Sequence, residues 1–255
     1  MFTKFAARKR KSAGVRKLCH TYLWHMKQKI VVLTGAGISA ESGIKTFRDS
    51  DGLWENHRIE DVATPQGWAA NPELVLEFYN QRRAQLLKAA PNDGHRALAE
   101  LEQSFEVDIV TQNVDDLHER AGSSRVLHLH GQLRQVRSER FPQLVYPWDK
   151  DLRMGDLCER GYQLRPHIVW FGEAVPMLES AADLAEQADI FVIVGTSLQV
   201  YPAAGLMSYA RRNIPFYYVD PRPQLNFELS SMPNLKIIAE PATTGVRKLI
   251  KELSS

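Results

Sequence analysis

The stretch Lys29-Ile30-Val31-Val32-Leu33-Thr34-Gly35-Ala36-Gly37-Ile38-Ser39-Ala40-Glu41-Ser42-Gly43 decides the fold. Lys29 to Leu33 is a β-branched, apolar run without polar alternation, the pattern of a strand buried on both faces of a parallel sheet. Glycines at 35 and 37 let the backbone turn sharply and come close to a ligand. A helix starting after such a turn offers amide donors and a positive dipole end to a pyrophosphate. An ordinary strand–helix turn would read the same way, so the neighbouring residues matter. Gly43-Ile44-Lys45-Thr46-Phe47-Arg48 adds an aromatic ring and a guanidinium directly after the loop. Arg48 can hold a phosphate bidentately, although a surface arginine in a loop is commonplace.

Working outward, short apolar strands are expected at Val107–Val110, Val126–Leu129, Ile168–Trp170, Ile190–Val194, Phe216–Val219 and Lys236–Ile238. Helical patterns fall at Pro72–Ala89, Gly94–Phe105, Met177–Gln187, Ala203–Arg212 and Thr244–Leu253. Asn71 is a suitable cap before Pro72, which suits a first helical turn. Strands alternating with helices imply right-handed crossovers and a doubly wound α/β sheet. Residues from about 40 to 90 and 132–166 break the alternation. Both are expected to form a small inserted lobe over the strand ends, where open α/β sheets bind ligands.

Composition narrows the function classes. The 255 residues are 44% hydrophobic and 24% charged, as in globular domains. No apolar run approaches the roughly 20 residues of a membrane span. The net charge is +2, but residues 1–25 carry seven basic residues and no acid, which leaves 26–255 at −5. The body therefore has no field for nucleic acid. The basic head is expected to be a disordered extension of the catalytic domain at 26–255. A basic arm, an organellar leader, or sequence upstream of a start at Met26 are the alternatives. A cytoplasmic protein is expected, or a mitochondrial one if the head is a transit peptide. Cys19 and Cys158 are the only cysteines, too few for a disulfide scaffold or a four-cysteine metal site.

Polar residues cluster where strands should end. Thr111-Gln112-Asn113-Val114-Asp115 offers groups for a ribose or an amide, or simply helix caps. His128 and His130 are two apart on a strand and so share a face. A core or structural histidine is the default for each; a histidine beside bound ligand is a reasonable general base. Gly195-Thr196-Ser197 forms another turn of phosphate or ribose size.

Taken in order, GAGISAESGI–TFR, TQNVD, LHLHG, IVWFGE and GTSLQVYPAA resemble the sirtuins, NAD-dependent protein lysine deacylases, over about residues 28–253. The resemblance implies a Rossmann-type domain with NAD in the cleft under a small lobe. It assigns cofactor contacts to Gly35, Ala36, Gly37, Ala40, Phe47, Arg48, Gln112, Asn113, Asp115, Gly195, Thr196, Ser197, Asp220 and Ala242. His130 matches the general base, with Asn113 and Asp115 orienting the ribose and the leaving amide. The amide oxygen of an acyl-lysine would attack the nicotinamide ribose, giving nicotinamide, free lysine and an O-acyl-ADP-ribose. Val169 and Phe171, within Val169–Glu173, match the segment that pairs with substrate peptide, which backbone hydrogen bonds alone can do.

Tyr79 and Arg82 are three apart on one face of their expected helix. Such a pair is also an ordinary amphipathic surface. It looks, however, like the Tyr-x-x-Arg signature of the branch that removes succinyl, malonyl and glutaryl groups. Ala63 is the small residue with which that branch widens its acyl pocket. Guanidinium and phenol are complementary to a free carboxylate. Against the family pattern, residues 132–166 hold Cys158 alone, where two Cys-x-x-Cys pairs usually bind zinc. No metal site is therefore expected, and packing of Tyr146, Trp148 and Tyr162 is expected to hold the lobe. Lys45 replaces a common proline, and Asp220-Pro221-Arg222 an asparagine-containing turn.

The expected partners are acylated-lysine proteins or peptides, with no nucleic acid, no membrane and a monomeric enzyme. Competing readings are a deacetylase without acidic preference, an ADP-ribosyltransferase on the same scaffold, and a non-catalytic NAD or ADP-ribose sensor.

Overall fold

The computed structural model describes residues 27–45, 53–54, 57–225 and 227–254. The basic head, Phe47 and Arg48 lie outside the described residues. In chain order the strands are β1 Lys29–Thr34, β2 Leu53–Trp54, β3 His57–Arg58, β4 Glu106–Thr111, β5 Val126–His128, β6 Gly131–Ser138, β7 Val145–Pro147, β8 Leu164–Ile168, β9 Ile190–Val194, β10 Phe216–Val219 and β11 Leu235–Ile238. The helices are α1 Ile59–Val62, α2 Pro65–Ala70, α3 Pro72–Lys88, α4 Asp93–Leu101, α5 Leu117–Arg120, α6 Leu178–Glu186, α7 Phe227–Ser230 and α8 Ala242–Leu253.

Six parallel strands form the main sheet in the order β11-β10-β9-β1-β4-β5. This is the doubly wound α/β arrangement expected. The missing alternation in β1 has its explanation here, because both faces are covered. Val31 and Leu33 pack with Phe191, Phe216 and α6 on one side. Ile30 and Val32 pack with Leu98, Val246 and Leu249 of α4 and α8 on the other.

A small lobe covers the strand ends. It combines α1–α3 with an antiparallel sheet ordered β7-β6-β8. As expected, Asn71 caps α3 by accepting from the Leu74 amide, and Pro72 opens its first turn. The core between the lobe and the main sheet includes Ile44, Phe78, Tyr79, Leu133, Ile168 and Trp170. Residues 132–166 contain more strand than their sequence suggests, because a register shift in β6 between Gly131 and Val136 breaks the period of two.

Several elements depart from those expected. Of the strand expected at Ile168–Trp170 only Ile168 is in a strand, as the last residue of β8, which begins at Leu164 and belongs to the antiparallel sheet; Val169 and Trp170 follow it outside any strand. The glycine loop runs into a 3-10 helix at Ala36–Ser42 rather than an α-helix. Another 3-10 helix spans Ala203–Tyr209 in place of the longer helix expected there. Its buried residues Ala203 and Leu206, Ala204 and Met207 recur at three, which matches 3.0 residues per turn. Tyr146 and Trp148 do pack against the cluster of Leu76, Val136, Leu152, Cys158 and Leu164. Tyr162, however, is exposed and meets only the edge of Phe141 among aromatic rings. No helix among the described residues is long and apolar enough to cross a membrane.

Candidate active site

Register places the site. Thr34 pairs with Thr111 and Val194, and Val194 with Val219, so the loops that follow emerge at one level. Two glycine turns meet there backbone to backbone: the Gly37 amide donates to the Gly195 carbonyl at 2.8 Å. Gly195 has φ +62°, and a Cβ on it would lie 2.4 Å from the Ile38 nitrogen. Only glycine allows both that conformation and that approach. Thr196 Oγ1 accepts from the Gln112 carboxamide at 3.1 Å and from the Leu198 amide at 3.2 Å, which locks the neighbouring loops together.

A cleft of about 490 Å³ opens above these turns. On its sheet side it gathers Gly35, Ala36, Gly37, Ala40, Gln112, Asn113, Asp115, His130, Gly195, Thr196, Ser197 and Asp220. The lobe contributes Ala63, Tyr79, Arg82, Val169 and Phe171. Ala242 is not among the lining residues. It is buried at the start of α8 against Gly94, and its neighbour Pro241 reaches the cleft instead.

The two histidines differ in their surroundings. His128 places Nδ1 3.0 Å from the Asn113 carbonyl and Nε2 2.7 Å from Glu119 Oε1. Both nitrogens therefore face acceptors. Burial opposes a charge on this ring, but the Glu119 carboxylate and the Asn113 carbonyl outweigh it and raise its pKa. His130 places Nδ1 3.0 Å from the Gln112 carbonyl. A carbonyl only accepts, so Nδ1 carries the proton and Nε2 keeps its lone pair. Burial lowers the His130 pKa, against the opposing pull of that carbonyl. A neutral imidazole with a free Nε2 can act as a base.

Sequence reasoning missed Ser39, which joins the polar groups beneath the cleft. Its Oγ donates to Asp115 Oδ2 at 2.9 Å and accepts from Asn113 Nδ2 at 3.2 Å. The His95 ring contributes a longer contact, Nε2 to Oγ at 3.4 Å. The backbone amide of Asn92 donates to His95 Nδ1, which leaves the ring proton on Nε2 and fixes the direction of the chain. Burial raises the Asp115 pKa, although the Leu117 amide and the Ser39 hydroxyl pull it down. Burial, with Arg96 adding to it, holds His95 down to about 4. A serine four residues into the glycine loop gave one signal; His95 gave none, since its partner lies 56 positions away.

On the lobe side, Tyr79 and Arg82 project together from α3. Tyr79 is fully buried and accepts a hydrogen bond from Trp170 Nε1 at 3.0 Å. Burial raises its pKa, so the phenol stays protonated. The amides of Val169, Trp170 and Phe171 are already engaged by the His130 carbonyl, Glu173 Oε2 and the Ala63 carbonyl. A peptide docking along Val169–Glu173 therefore meets carbonyl acceptors rather than these amides, which narrows the backbone pairing expected.

In the small lobe the described residues offer one thiol, that of Cys158. Cys158 is buried with Sγ 3.4 Å from Ser138 Oγ. Among the described residues no three His, Cys, Asp or Glu side chains group to hold a metal ion. The Gln163 carboxamide instead cross-links the loop before β8. It donates to the carbonyls of Arg153, Asp156 and Leu164 and accepts from the Gly155 amide.

Comparison with known proteins identifies the family. The profile of the Sir2 family matches residues 35–202. An NAD-dependent protein deacylase of Helicobacter pylori is 58% identical over 226 residues, 89% of this chain and 97% of that protein. One from Bacteroides thetaiotaomicron is 52% identical over 228 residues, covering 87% and 96%. The crystal structure of a Sir2 homolog–NAD complex superposes with TM-score 0.78 at 38% identity, covering 89% of this chain and 90% of that one. A Sir2 protein bound to acetylated peptide gives TM-score 0.74 at 29% identity, covering 89% and 94%.

Proposed function

The chain belongs to the Sir2 family, and from that premise we propose that it uses NAD to remove acyl groups from protein lysines, preferring acyl chains that end in a carboxylate, such as succinyl and malonyl. The observation that carries the acyl preference is that Tyr79 and Arg82 line the same cleft as His130. A guanidinium fork and a phenol O–H complement a carboxylate in both charge and geometry. Ala63 beside them adds little bulk.

The donor set fits NAD. The paired glycine turns bring bare backbone to the carboxyl ends of the strands, ringed by the carboxamide and hydroxyl groups of Gln112, Asn113, Thr196 and Ser197. NAD, when bound, supplies an electrophilic ribose carbon and nicotinamide as leaving group. Asn113, anchored through Ser39, and Asp115 would orient the ribose and the nicotinamide amide. His130 would accept a proton at Nε2 from a ribose hydroxyl, its Nδ1–H held by Gln112. The lobe would exclude water around the acyl chain through Ile44, Ile168 and Trp170. With one water taken up after nicotinamide has left, the products on this reading are free lysine, nicotinamide and an O-acyl-ADP-ribose.

A comparison of kcat/KM on succinyl- and acetyl-lysine peptides, with NAD present and absent, tests the reading. Succinyl should be favoured, and Arg82→Met should abolish that preference. An acetyl preference in the unaltered enzyme would overturn it. We further propose that the lobe carries no zinc, which elemental analysis of protein purified without chelator tests. A cytoplasmic monomer completes the proposal, in keeping with the buried free thiol of Cys158; light scattering tests the monomer.

A further inference from the structure

We infer that Trp170 is a specificity-determining positioning residue, whose indole N–H fixes the Tyr79 hydroxyl as a proton donor toward the carboxylate end of the acyl chain. The inference deepens the acidic-acyl reading above and rests on it.

An indole N–H can only donate, so in the 3.0 Å contact the Tyr79 oxygen is the acceptor. Among the described residues the hydroxyl has no other hydrogen-bond partner. Its proton is thus left for the cleft, which Tyr79 lines beside Arg82. A phenol without this partner could rotate and present a lone pair to the carboxylate, which repels it. With the indole in place, that rotation would set two donors against each other.

The indole is itself held on several sides. The Arg165 guanidinium lies 3.3 Å from its ring centroid, and the Trp68 ring 5.8 Å away. Glu173 grips Arg165 at 2.7 and 3.1 Å, accepts the Trp170 amide at 2.8 Å, and pairs with Arg137 at 3.2 Å. Packing alone would need only a large ring. The N–H adds a buried donor that must find a partner, and the partner is the phenol of Tyr79, a residue that lines the cleft.

The test measures kcat and KM on succinyl- and acetyl-lysine peptides for the unaltered enzyme, Trp170→Phe, Tyr79→Phe and the double variant. The succinyl-to-acetyl ratio of kcat/KM should fall about fivefold in Trp170→Phe, the size expected for one neutral hydrogen bond. The fall should come through the succinyl KM. Tyr79→Phe should lower the ratio at least as far, and adding Trp170→Phe should lower it no further. Equal losses on both peptides in Trp170→Phe would mean structural support only and would overturn the inference. A lowered ratio in Tyr79→Phe but not in Trp170→Phe would overturn it too, with the acidic reading intact. An acetyl preference in the unaltered enzyme would instead remove the acidic reading, and the inference with it. If phenylalanine destabilises the fold, benzothienylalanine at position 170 keeps the ring volume without the N–H. It should give the same fall, and an unchanged ratio would overturn the inference.

Discussion

His130 Nδ1 lies 3.0 Å from the carbonyl oxygen of Gln112, and that contact decides which ring nitrogen can accept a proton. Gln112 is the first residue after β4, so the sheet register itself sets the tautomer of the proposed base.

The pH dependence of turnover follows from this environment. Burial lowers the His130 pKa, and on the proposed mechanism the neutral ring is the active form. The acid limb of kcat/KM should therefore fall below the ordinary histidine value of about 6.5. A limb above that value would count against His130 as the base. His130→Ala should cost about 100-fold or more in kcat/KM, while calorimetry still detects NAD binding.

Ser39→Ala should do more damage than loss of one surface hydroxyl. It strands Asp115 Oδ2 and Asn113 Nδ2 beneath the cleft. Stability should fall by about 1–3 kcal/mol, the usual cost of unsatisfied buried polar groups. KM for NAD should rise as well. Urea unfolding and steady-state kinetics read the two effects separately, and a shift in neither would show that the network is dispensable.

Gly195 and Gly43 provide a matched pair. Both have positive φ, at +62° and +83°, but a Cβ on Gly43 meets nothing within 4 Å. Gly43→Ala should cost about 1 kcal/mol from backbone conformation alone. Gly195→Ala should cost more and weaken NAD binding, because its Cβ collides with the Gly37–Ile38 backbone. Equal melting temperatures for the two variants would contradict the close approach.

Acid should destabilise the fold through His95 and His118. Burial depresses both pKa values, with Arg96 adding to the effect on His95 and the other histidines to that on His118. The unfolded chain therefore binds protons that the folded chain refuses. Their stabilising contribution is fully present above the unfolded value of about 6.5 and is lost as pH falls toward the folded values. For His95 the window closes near 4. Urea midpoints at pH 7 and pH 5 should differ, and His95→Asn should reduce the difference.

How much could be read beforehand depended on the range of the interaction. The Lys29–Thr34 run and its glycine turn were legible because strand burial and turn chemistry are local. So was the cap of α3, where Asn71 and Leu74 are three residues apart. The antiparallel strands of the lobe were obscured by the register shift in β6. The packing of the Ala242 side chain into the core was not legible either, because its cluster partners Ile38 and Leu98 lie far from it in the chain.

By itself the sequence determined the doubly wound sheet, the loops that end its strands, and the types of chemical group those loops carry. Each of these follows from burial patterns and backbone preferences spanning a few residues. Only the tertiary structure set the His130 tautomer against the Gln112 carbonyl, joined Ser39 to Asp115 across 76 positions, and set Trp170 against Tyr79 across 91. The physical reason is that a hydrogen bond has a length and a direction. Two residues far apart in the chain acquire both only when the sheet and its lobe have brought them together.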